Sequence, residues 1–163
     1  MSVRVPGRLL PVRTVLALTA VGLAALDLLI KAFVMVNMSD GRVLDYGVFT
    51  LRLAYNTGVA FSLGASLSPW IVAAATAALV AVLAVFLLRK APHLARIPRS
   101  GAALLLGGAL GNLVDRLDGA GVVDYLHTGW FPTFNLADVF VVGGAVLLVI
   151  GSMRASSPAQ EEA

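Results

Sequence analysis

The sequence predicts an all-α membrane protein with four transmembrane helices and a small β-sheet at the extracytoplasmic membrane surface. Of its 163 residues, 59% are hydrophobic and only 13% are charged, whereas a water-soluble domain carries about 25% charged residues. Four apolar segments have the length of a spanning helix, which is roughly 20 residues. A segment between the first two alternates in the manner of short strands. We interpret residues 1–154 as a single integral-membrane domain.

The four apolar segments are bounded by positive charges that predict their orientation. They cover about residues 12–37, 70–88, 100–117 and 136–153. The positive charges at their ends are Arg4, Arg8, Arg13, Arg89, Lys90, Arg96, Arg99 and Arg154. Because cytoplasmic connections carry an excess of lysine and arginine, both termini should be cytoplasmic, and residues 37–69 and 118–133 should face outward. Residues 155–163, which have almost no apolar bulk, should form a disordered cytoplasmic tail.

The composition excludes several other kinds of site. The net charge is only +3, so the basic residues at the helix ends indicate topology rather than nucleic-acid binding. The chain has no cysteine and only two histidines. This excludes disulfides and zinc–thiolate sites and argues against a histidine metal cluster. We therefore expect neither a metal nor nucleic acid as a ligand.

The first outer connection is unusual in its composition. Residues 42–62 (RVLDYGVFTLRLAYNTGVAFS) mix β-branched and aromatic residues in rough alternation. This pattern is typical of short strands, and a small surface sheet would satisfy its own backbone hydrogen bonds. The Asn-Thr-Gly stretch at 56–58 would make a turn. An ordinary structured loop is the alternative interpretation.

Four ionisable residues lie inside the apolar segments, where a charge is costly and marks a candidate functional site. They are Asp27, Lys31, Asp115 and Asp138. Asp115 follows Arg99 by as many residues as Asp138 precedes Arg154, so at about 1.5 Å per residue both lie roughly 24 Å from the cytoplasmic face. Asp27 should lie just beneath them. The three acids are therefore expected to converge near the outer boundary of the membrane.

The same phrase, Asn-Leu-x-Asp, surrounds two of these acids. Asn112 precedes Asp115, and Asn135 precedes Asp138, each by three residues. Residues at this spacing share a helix face, so each carboxylate has an amide donor beside it. Two carboxylates placed close together can share a proton and activate water, as in aspartic proteases. Alternatively, each aspartate caps a helix end or pairs with Arg116 for structural reasons.

Four stretches of the sequence resemble the lipoprotein signal peptidase (signal peptidase II) family, in the family's order. They are DLLIK at 27–31, LAYNTGVAFS at 53–62, GGALGNLVDR at 107–116 and VVDYLHTGWFPTFNLAD at 122–138. Together they touch every part of the chain except the second helix and the tails. One departure is Leu28, where the family often has glutamine. It affects only a peripheral polar contact.

The resemblance implies an intramembrane aspartyl peptidase of the bacterial cytoplasmic (inner) membrane. Such an enzyme removes the signal peptide of a diacylglyceryl-modified prolipoprotein by cutting just before the lipidated cysteine. Asp115 and Asp138 match the catalytic pair. Asn112 and Asn135 match the flanking amides. No cofactor is implied, and we expect a monomer in contact with membrane phospholipid.

The resemblance also implies roles for five further positions. Asn56 and Arg116 match residues that contact the substrate near the scissile bond. Asp27 matches a required, non-catalytic acid, and its i, i+4 spacing to Lys31 favours a structural ion pair. Asp124 also belongs to the family pattern, and we interpret it as a residue that fixes the outer loop.

Three other classes of function remain open from the residues alone. A small transporter or channel also places acids in the membrane, although usually near the midplane. A magnesium-dependent phosphotransferase could use Asp115, Asp118 and Asp124, although two of these lie in a predicted loop. A scaffold protein would use the acids for stability alone.

Overall fold

The chain is mostly helical, and the computed structural model describes residues 10–57 and 68–156. Four long helices, α1 to α4, cover Val12–Met38, Pro69–Lys90, Arg96–Asp115 and Leu136–Ser156. Short 3₁₀ turns follow α2 at Ala91–His93 and α3 at Arg116–Asp118. The second of these turns ends at Gly119, whose φ of +79° is a conformation that favours glycine.

The helix bounds differ from the sequence prediction mainly at α3 and α4. The helix α3 begins at Arg96 rather than near 100, and it ends at Asp115 because the chain tightens into the 3₁₀ turn. The helix α4 continues to Ser156. Residues 155 and 156, which the sequence assigns to the tail, thus belong to α4, and residues 157–163 lie outside the described part of the chain.

Three of the helices, α1, α2 and α4, are long and apolar enough to cross a membrane. The helix α3 is less apolar than these three helices and is not among the candidate membrane spans. Its position in the bundle explains this composition. It packs against all three other helices, so much of its surface faces protein. Its contact with α4 is close, because a Cβ atom on Gly101 would lie 2.7 Å from the carbonyl oxygen of Gly144. Small residues at such crossings let helices pack tightly in membranes.

Two apolar clusters hold the molecule together. The larger cluster joins α1, α2 and α3 through buried side chains, among them Leu16, Leu87 and Leu106. The second cluster lies at the other end of α1, where Val34 and Met38 pack with Tyr125. The sheet therefore rests on the end of the helical bundle opposite to the basic connection between α2 and α3.

Three antiparallel strands form that sheet, in the order β1-β2-β3. They are β1 at Leu44–Asp45, β2 at Thr50–Asn56 and β3 at Val122–His127. The strands β1 and β2 lie inside the predicted outer β region, whereas residues 58–62 of that region lie outside the described residues. Of the predicted turn at 56–58, Asn56 is the last residue of β2, and Gly58 lies outside the described residues. Within the sheet, Ala54 of β2 pairs with Asp124 of β3.

The strand β3 corrects the sequence analysis, which placed residues 118–133 in a connection and Asp124 in a loop. The run Val-Val-Asp-Tyr-Leu-His is rich in β-branched and aromatic residues, and it pairs with β2 across an irregularity between Leu51 and Ala54. After β3 the chain folds back, and Phe134 exchanges backbone hydrogen bonds with Leu126. This return delivers the chain directly to the start of α4.

Candidate active site

A buried ammonium group from α1 forms one part of the site. Lys31 of α1 is fully buried, and its Nζ lies 2.7 Å from Oδ2 of Asp27 and 2.8 Å from Oδ2 of Asp115. The ion pair between Asp27 and Lys31 was predicted from their spacing. The contact with Asp115 was not, because it joins α1 to α3. We call these three residues the ion cluster.

The two acids of the ion cluster also accept backbone hydrogen bonds from other elements. Asp27 Oδ1 accepts the N–H of Ala137 in α4 at 2.9 Å, and Asp115 Oδ2 accepts the N–H of Val123 in β3 at 3.0 Å. Gly111 makes room for Asp27, since a Cβ atom there would lie 2.7 Å from its carboxylate. The ion cluster therefore fastens α1 to α4, and α3 to the sheet.

Asn112 connects the ion cluster to Asp138. Its Oδ1 accepts a hydrogen bond from Lys31 Nζ at 2.9 Å, and its Nδ2 donates to Asp138 Oδ1 at 2.9 Å. An ammonium group has three donors and no acceptor, so the atom facing Lys31 must be the amide oxygen. The amide nitrogen of Asn112 must then face Asp138.

The second Asn-Leu-x-Asp phrase starts α4 as a capping box. The N–H of Asp138 donates to Asn135 Oδ1 at 2.9 Å, and the N–H of Asn135 donates to Asp138 Oδ2 at 3.1 Å. This reciprocal pair satisfies two backbone donors at the helix start. One alternative from the sequence, an aspartate that caps a helix end, is thus present at Asp138. The carboxylate still has one oxygen directed toward Asn112.

Asn135 also bridges the two carboxylates nearest the sheet. Its Oδ1 faces a backbone N–H, so its Nδ2 must point the other way, where it lies 2.7 Å from Asp124 Oδ1. The same nitrogen lies 3.1 Å from Asn112 Oδ1. The Asn135 residue therefore contacts Asp138 at its backbone and oxygen and Asp124 at its amide nitrogen. We call Asp124 and Asp138 the amide-bridged pair.

Asp124 is a buried carboxyl group on a strand, only 3% exposed. Its second oxygen accepts a hydrogen bond from Asn56 Nδ2 at 3.2 Å. Burial, followed by the charge of Asp138, raises the pKa of Asp124 to about 6, against the opposing effect of the hydrogen bonds from Asn56 and Asn135. The group can therefore hold or release a proton near neutral pH.

Arg116 lies beside this network, at the end of α3. Its Nη1 donates to the carbonyl oxygen of Asn112 at 3.2 Å, and the side chain is half-buried. Within residues 10–57 and 68–156, no salt bridge joins it to Asp115 or Asp138, a pairing that the sequence left open. Its guanidinium group is thus positioned by a backbone carbonyl.

Two open cavities reach the amide-bridged pair. One, of about 600 Å³, reaches Asp138 and is lined mainly by apolar residues of the loop and of α4, including Phe131, Phe134 and Val142. The other, of about 310 Å³, is more polar and reaches Asp124 and Asn56 along β2. Both are bordered by Thr133. The two carboxyl groups therefore lie where an apolar surface meets a polar one.

All nine residues proposed from the sequence belong to this one region. Those that share direct side-chain contacts are Asn56, Asp27, Lys31, Asn112, Asp115, Asp124, Asn135 and Asp138, and Arg116 joins through a backbone carbonyl. The sequence analysis missed the backbone donors of Val123 and Ala137. It also missed Tyr125, whose hydroxyl oxygen accepts the N–H of Leu136 at 3.2 Å. Backbone donors leave no signal in side-chain spacing.

Comparison with known sequences assigns the family. The sequence profile of the family described as Signal peptidase (SPase) II matches residues 19–154, which include every residue of the site. The chain belongs to the signal peptidase II family. It is therefore a protease associated with lipoprotein processing, with apolar helices suited to a membrane.

Named relatives support the family over most of the chain. A lipoprotein signal peptidase of Ectopseudomonas mendocina is 40% identical over 124 residues, covering 72% of this chain and 73% of the relative. One of Mesorhizobium japonicum is 40% identical over 142 residues, covering 84% of each chain. A bacterial membrane enzyme solved by the in meso method superposes with a TM-score of 0.73 at 23% identity, covering 92% of this chain and 94% of the other. At that identity, the superposition supports the fold alone.

Proposed function

We propose that this signal peptidase II is an intramembrane aspartyl endopeptidase that removes the signal peptide from diacylglyceryl-modified prolipoproteins, cutting just before the lipidated cysteine. The observation that carries the proposal is the amide-bridged pair at the meeting point of an apolar and a polar cavity. A lipidated peptide has the same division, because acyl chains and an apolar signal helix adjoin a polar mature sequence. Family membership supplies the substrate class.

The contacts favour Asp124 and Asp138 as the catalytic pair. The sequence analysis assigned Asp115 and Asp138, and that pair remains the alternative. Asp115 lies 2.8 Å from a buried ammonium group, so its carboxylate is engaged in a buried salt bridge. Asp124 has amide neighbours, a raised pKa and electrostatic coupling to Asp138. Proton transfer needs carboxyl groups that can change charge state, and this requirement favours Asp124 over Asp115.

The hydrogen bonds assign a role to each acid. Asp138 accepts hydrogen bonds from Asn112 Nδ2 and from the Asn135 N–H, and donors of this kind stabilise a carboxylate. It acts as the base that takes a proton from water, while the water oxygen attacks the peptide carbonyl carbon. Asp124 gives its proton to the carbonyl oxygen. When the C–N bond breaks, the proton held by Asp138 passes to the leaving nitrogen, and the proton on the former carbonyl oxygen returns to Asp124.

The cavities and flanking side chains suggest how the substrate lies. The apolar cavity along Phe131, Phe134 and Val142 would hold the lipid-facing part, and the polar cavity beside β2 would hold the peptide. Asn56, which is exposed, and Arg116, which is half-buried, offer donors for peptide carbonyl groups.

The membrane setting follows from the arrangement of the helices. We propose that all four helices cross the bacterial inner membrane, with α3 less apolar because the other three surround it. The positive-inside rule supports a cytoplasmic location for both termini and for the connection between α2 and α3, with the sheet and the site near the outer face. The protein acts as a monomer whose exposed apolar helix faces contact phospholipid.

Single cysteines test this topology. Because the chain has no cysteine, the variants Val48→Cys, Ala120→Cys and Ala95→Cys can be labelled without background by a membrane-impermeant reagent. All three positions are exposed. In intact cells the first two should react and Ala95→Cys should not. Labelling of Ala95→Cys, but of neither other variant, would show that the protein has the opposite orientation in the membrane.

Cleavage by the purified protein tests the function itself. In detergent, the protein should cut a diacylglyceryl-modified precursor and leave the unmodified precursor intact. The activity should survive a chelator, which separates this proposal from magnesium-dependent phosphotransfer. Transport of solutes in vesicles without any cleavage would favour a carrier instead.

A further inference from the structure

We propose that Lys31 is a positioning residue for peptide cleavage, because its ammonium group fixes the Asn112 amide with its N–H₂ group facing Asp138. The inference rests on the proposed function, in which Asp138 is the base that activates water. The role goes beyond the structural ion pair with Asp27, since it connects a side chain of α1 to the reacting carboxylate through one intervening amide.

The polarity of the three groups in this chain is unambiguous. Lys31 Nζ can only donate, so it holds the Asn112 oxygen at 2.9 Å, and the nitrogen of the same amide lies 2.9 Å from Asp138 Oδ1. In the flipped orientation, N–H₂ would face an ammonium group and the oxygen would face a carboxylate. Both contacts would be repulsive, so Lys31 and an ionised Asp138 select the same orientation of the amide.

Lys31 also has more contacts than neutralisation of Asp27 requires. Its three donors meet three acceptors at 2.7, 2.8 and 2.9 Å, which are Asp27 Oδ2, Asp115 Oδ2 and Asn112 Oδ1. The side chain is fully buried, where an ammonium group is stable only with complete hydrogen bonding. One of the three donors is thus committed to an amide that carries no charge. That commitment is explained if the orientation of the amide matters.

The charged groups around both ends of this chain define what a pH measurement reports. Lys31 faces Asp27 from its own helix and Asp115 from α3. Asp138 lies within electrostatic range of Asp124 on β3 and of Arg116 at the end of α3. If Asn112 loses its fixed orientation, Asp138 loses a donor to its ionised form, and the base then works only at higher pH.

The test compares Lys31→Met/Asp27→Asn with the parent, whose cluster has the same net charge, and with Asp27→Asn, which retains the ammonium group. The double variant removes the ammonium and one carboxylate together, so the cluster keeps one net negative charge, as in the parent. We expect kcat to fall about 10- to 100-fold relative to Asp27→Asn, the range expected for losing a hydrogen bond to a charged group. KM for the lipidated precursor should change little. In the profile of kcat against pH, the acidic limb should move to higher pH.

The pH profile separates positioning from stability. A merely structural Lys31 would lower the amount of folded enzyme and reduce activity equally at every pH. If a folded double variant has the kcat and the acidic limb of Asp27→Asn, the inference is wrong.

A second variant keeps the test decisive if the first does not fold. Asn112→Ala leaves both ion pairs of Lys31 in place and removes only the amide, so it should show the same displacement of the acidic limb. An unchanged limb in Asn112→Ala would overturn the inference. A parent protein that does not cut the lipidated precursor would overturn the proposed function instead, so the two failures are distinguishable.

Discussion

The ion cluster and the amide-bridged pair each contain two carboxyl groups, but their neighbours differ. In the ion cluster, Lys31 Nζ lies within 2.8 Å of both Asp27 and Asp115. In the amide-bridged pair, the hydrogen bonds come from neutral amide and backbone donors, and no salt bridge is present within residues 10–57 and 68–156. Aspartate thus occurs in two different electrostatic environments, one charged and one neutral, and the single residue Asn112 contacts both.

The difference teaches which acids can perform chemistry. A buried carboxylate in direct contact with an ammonium group is stabilised in its charged form by that contact. A carboxyl group bound by neutral amides has no such requirement, and its charge state can change during a reaction. This argument supports the proposal that the amide-bridged pair moves protons, while the ion cluster joins the elements around it.

The largest expected effect is the loss of cleavage in variants of the amide-bridged pair. Asp138→Asn and Asp124→Asn should each reduce kcat at least about 1,000-fold, and the double variant should be about as inactive as either, because residues that act as a unit are not additive. Asparagine keeps the shape of each side chain, so the variants should remain folded. The measurement is the rate of cleavage of a diacylglyceryl-modified precursor by purified protein. Parental activity in Asp124→Asn would remove Asp124 from the pair.

The next effect is a pH-dependent gain in stability for Asp124→Asn. The pKa of Asp124 is raised from 3.8 to about 6 by burial and by Asp138. A raised carboxyl pKa means that the contribution to stability is complete below pH 3.8 and is lost as pH rises through about 6. The variant should therefore be more stable than the parent at pH 8, by up to about 3 kcal/mol, and equal to it near pH 3.5.

Thermal unfolding in detergent at several pH values measures this gain. A suitable control is Asp40→Asn, because the hydrogen bond from Arg42 lowers the pKa of that exposed carboxyl group. Its small contribution is lost as pH falls, which is the opposite sign. If Asp124→Asn gives no gain at pH 8, its carboxyl group is not destabilised in the folded protein.

The sequence was sufficient to predict the helices and the residues that belong to the polar network, but not their contacts. Apolar length and charge at the ends located α1 to α4 to within a few residues, and equal spacing from Arg99 and Arg154 placed Asp115 and Asp138 at one level. These features are local, because each depends on the period and length of a helix.

The sheet and the pairing of the acids could not be obtained in the same way. The strand β3 pairs with β2, which lies on the order of 70 residues earlier in the chain, and a strand pairing of this range has no signature in spacing along the sequence. Without β3, Asp124 is an acid in a loop; with it, Asp124 is 3% exposed beside Asn135. A signal was nevertheless present, since an acid within Val-Val-Asp-Tyr-Leu interrupts a run with high strand propensity.

A smaller effect is expected in the ion cluster, for Asp115→Asn. Lys31 would keep its pair with Asp27, so the loss should be limited to about 1–3 kcal/mol of stability, the usual cost of disrupting a buried polar contact. The kcat of the folded variant should fall less than about tenfold, because its carboxyl group is not in the proposed catalytic pair. The measurement pairs a melting curve with the cleavage assay. A loss of about 1,000-fold in a variant with the parental melting temperature would restore the pair predicted from the sequence.

The smallest expected effect comes from Asn56→Ala, at the exposed edge of the amide-bridged pair. Removing this amide takes away one donor to Asp124 and one candidate contact to the substrate, so kcat/KM should fall about tenfold. Because the Asn56 hydrogen bond lowers the pKa of Asp124, its loss raises that pKa further. The acid form of Asp124 then persists to higher pH, and the alkaline limb of cleavage should move upward. Asn37→Ala is a matched control, since Asn37 is an exposed asparagine whose amide donates to the carbonyl oxygen of Phe33 in its own helix. Equal pH profiles of cleavage in the two variants would show that Asn56 does not affect the pKa of Asp124.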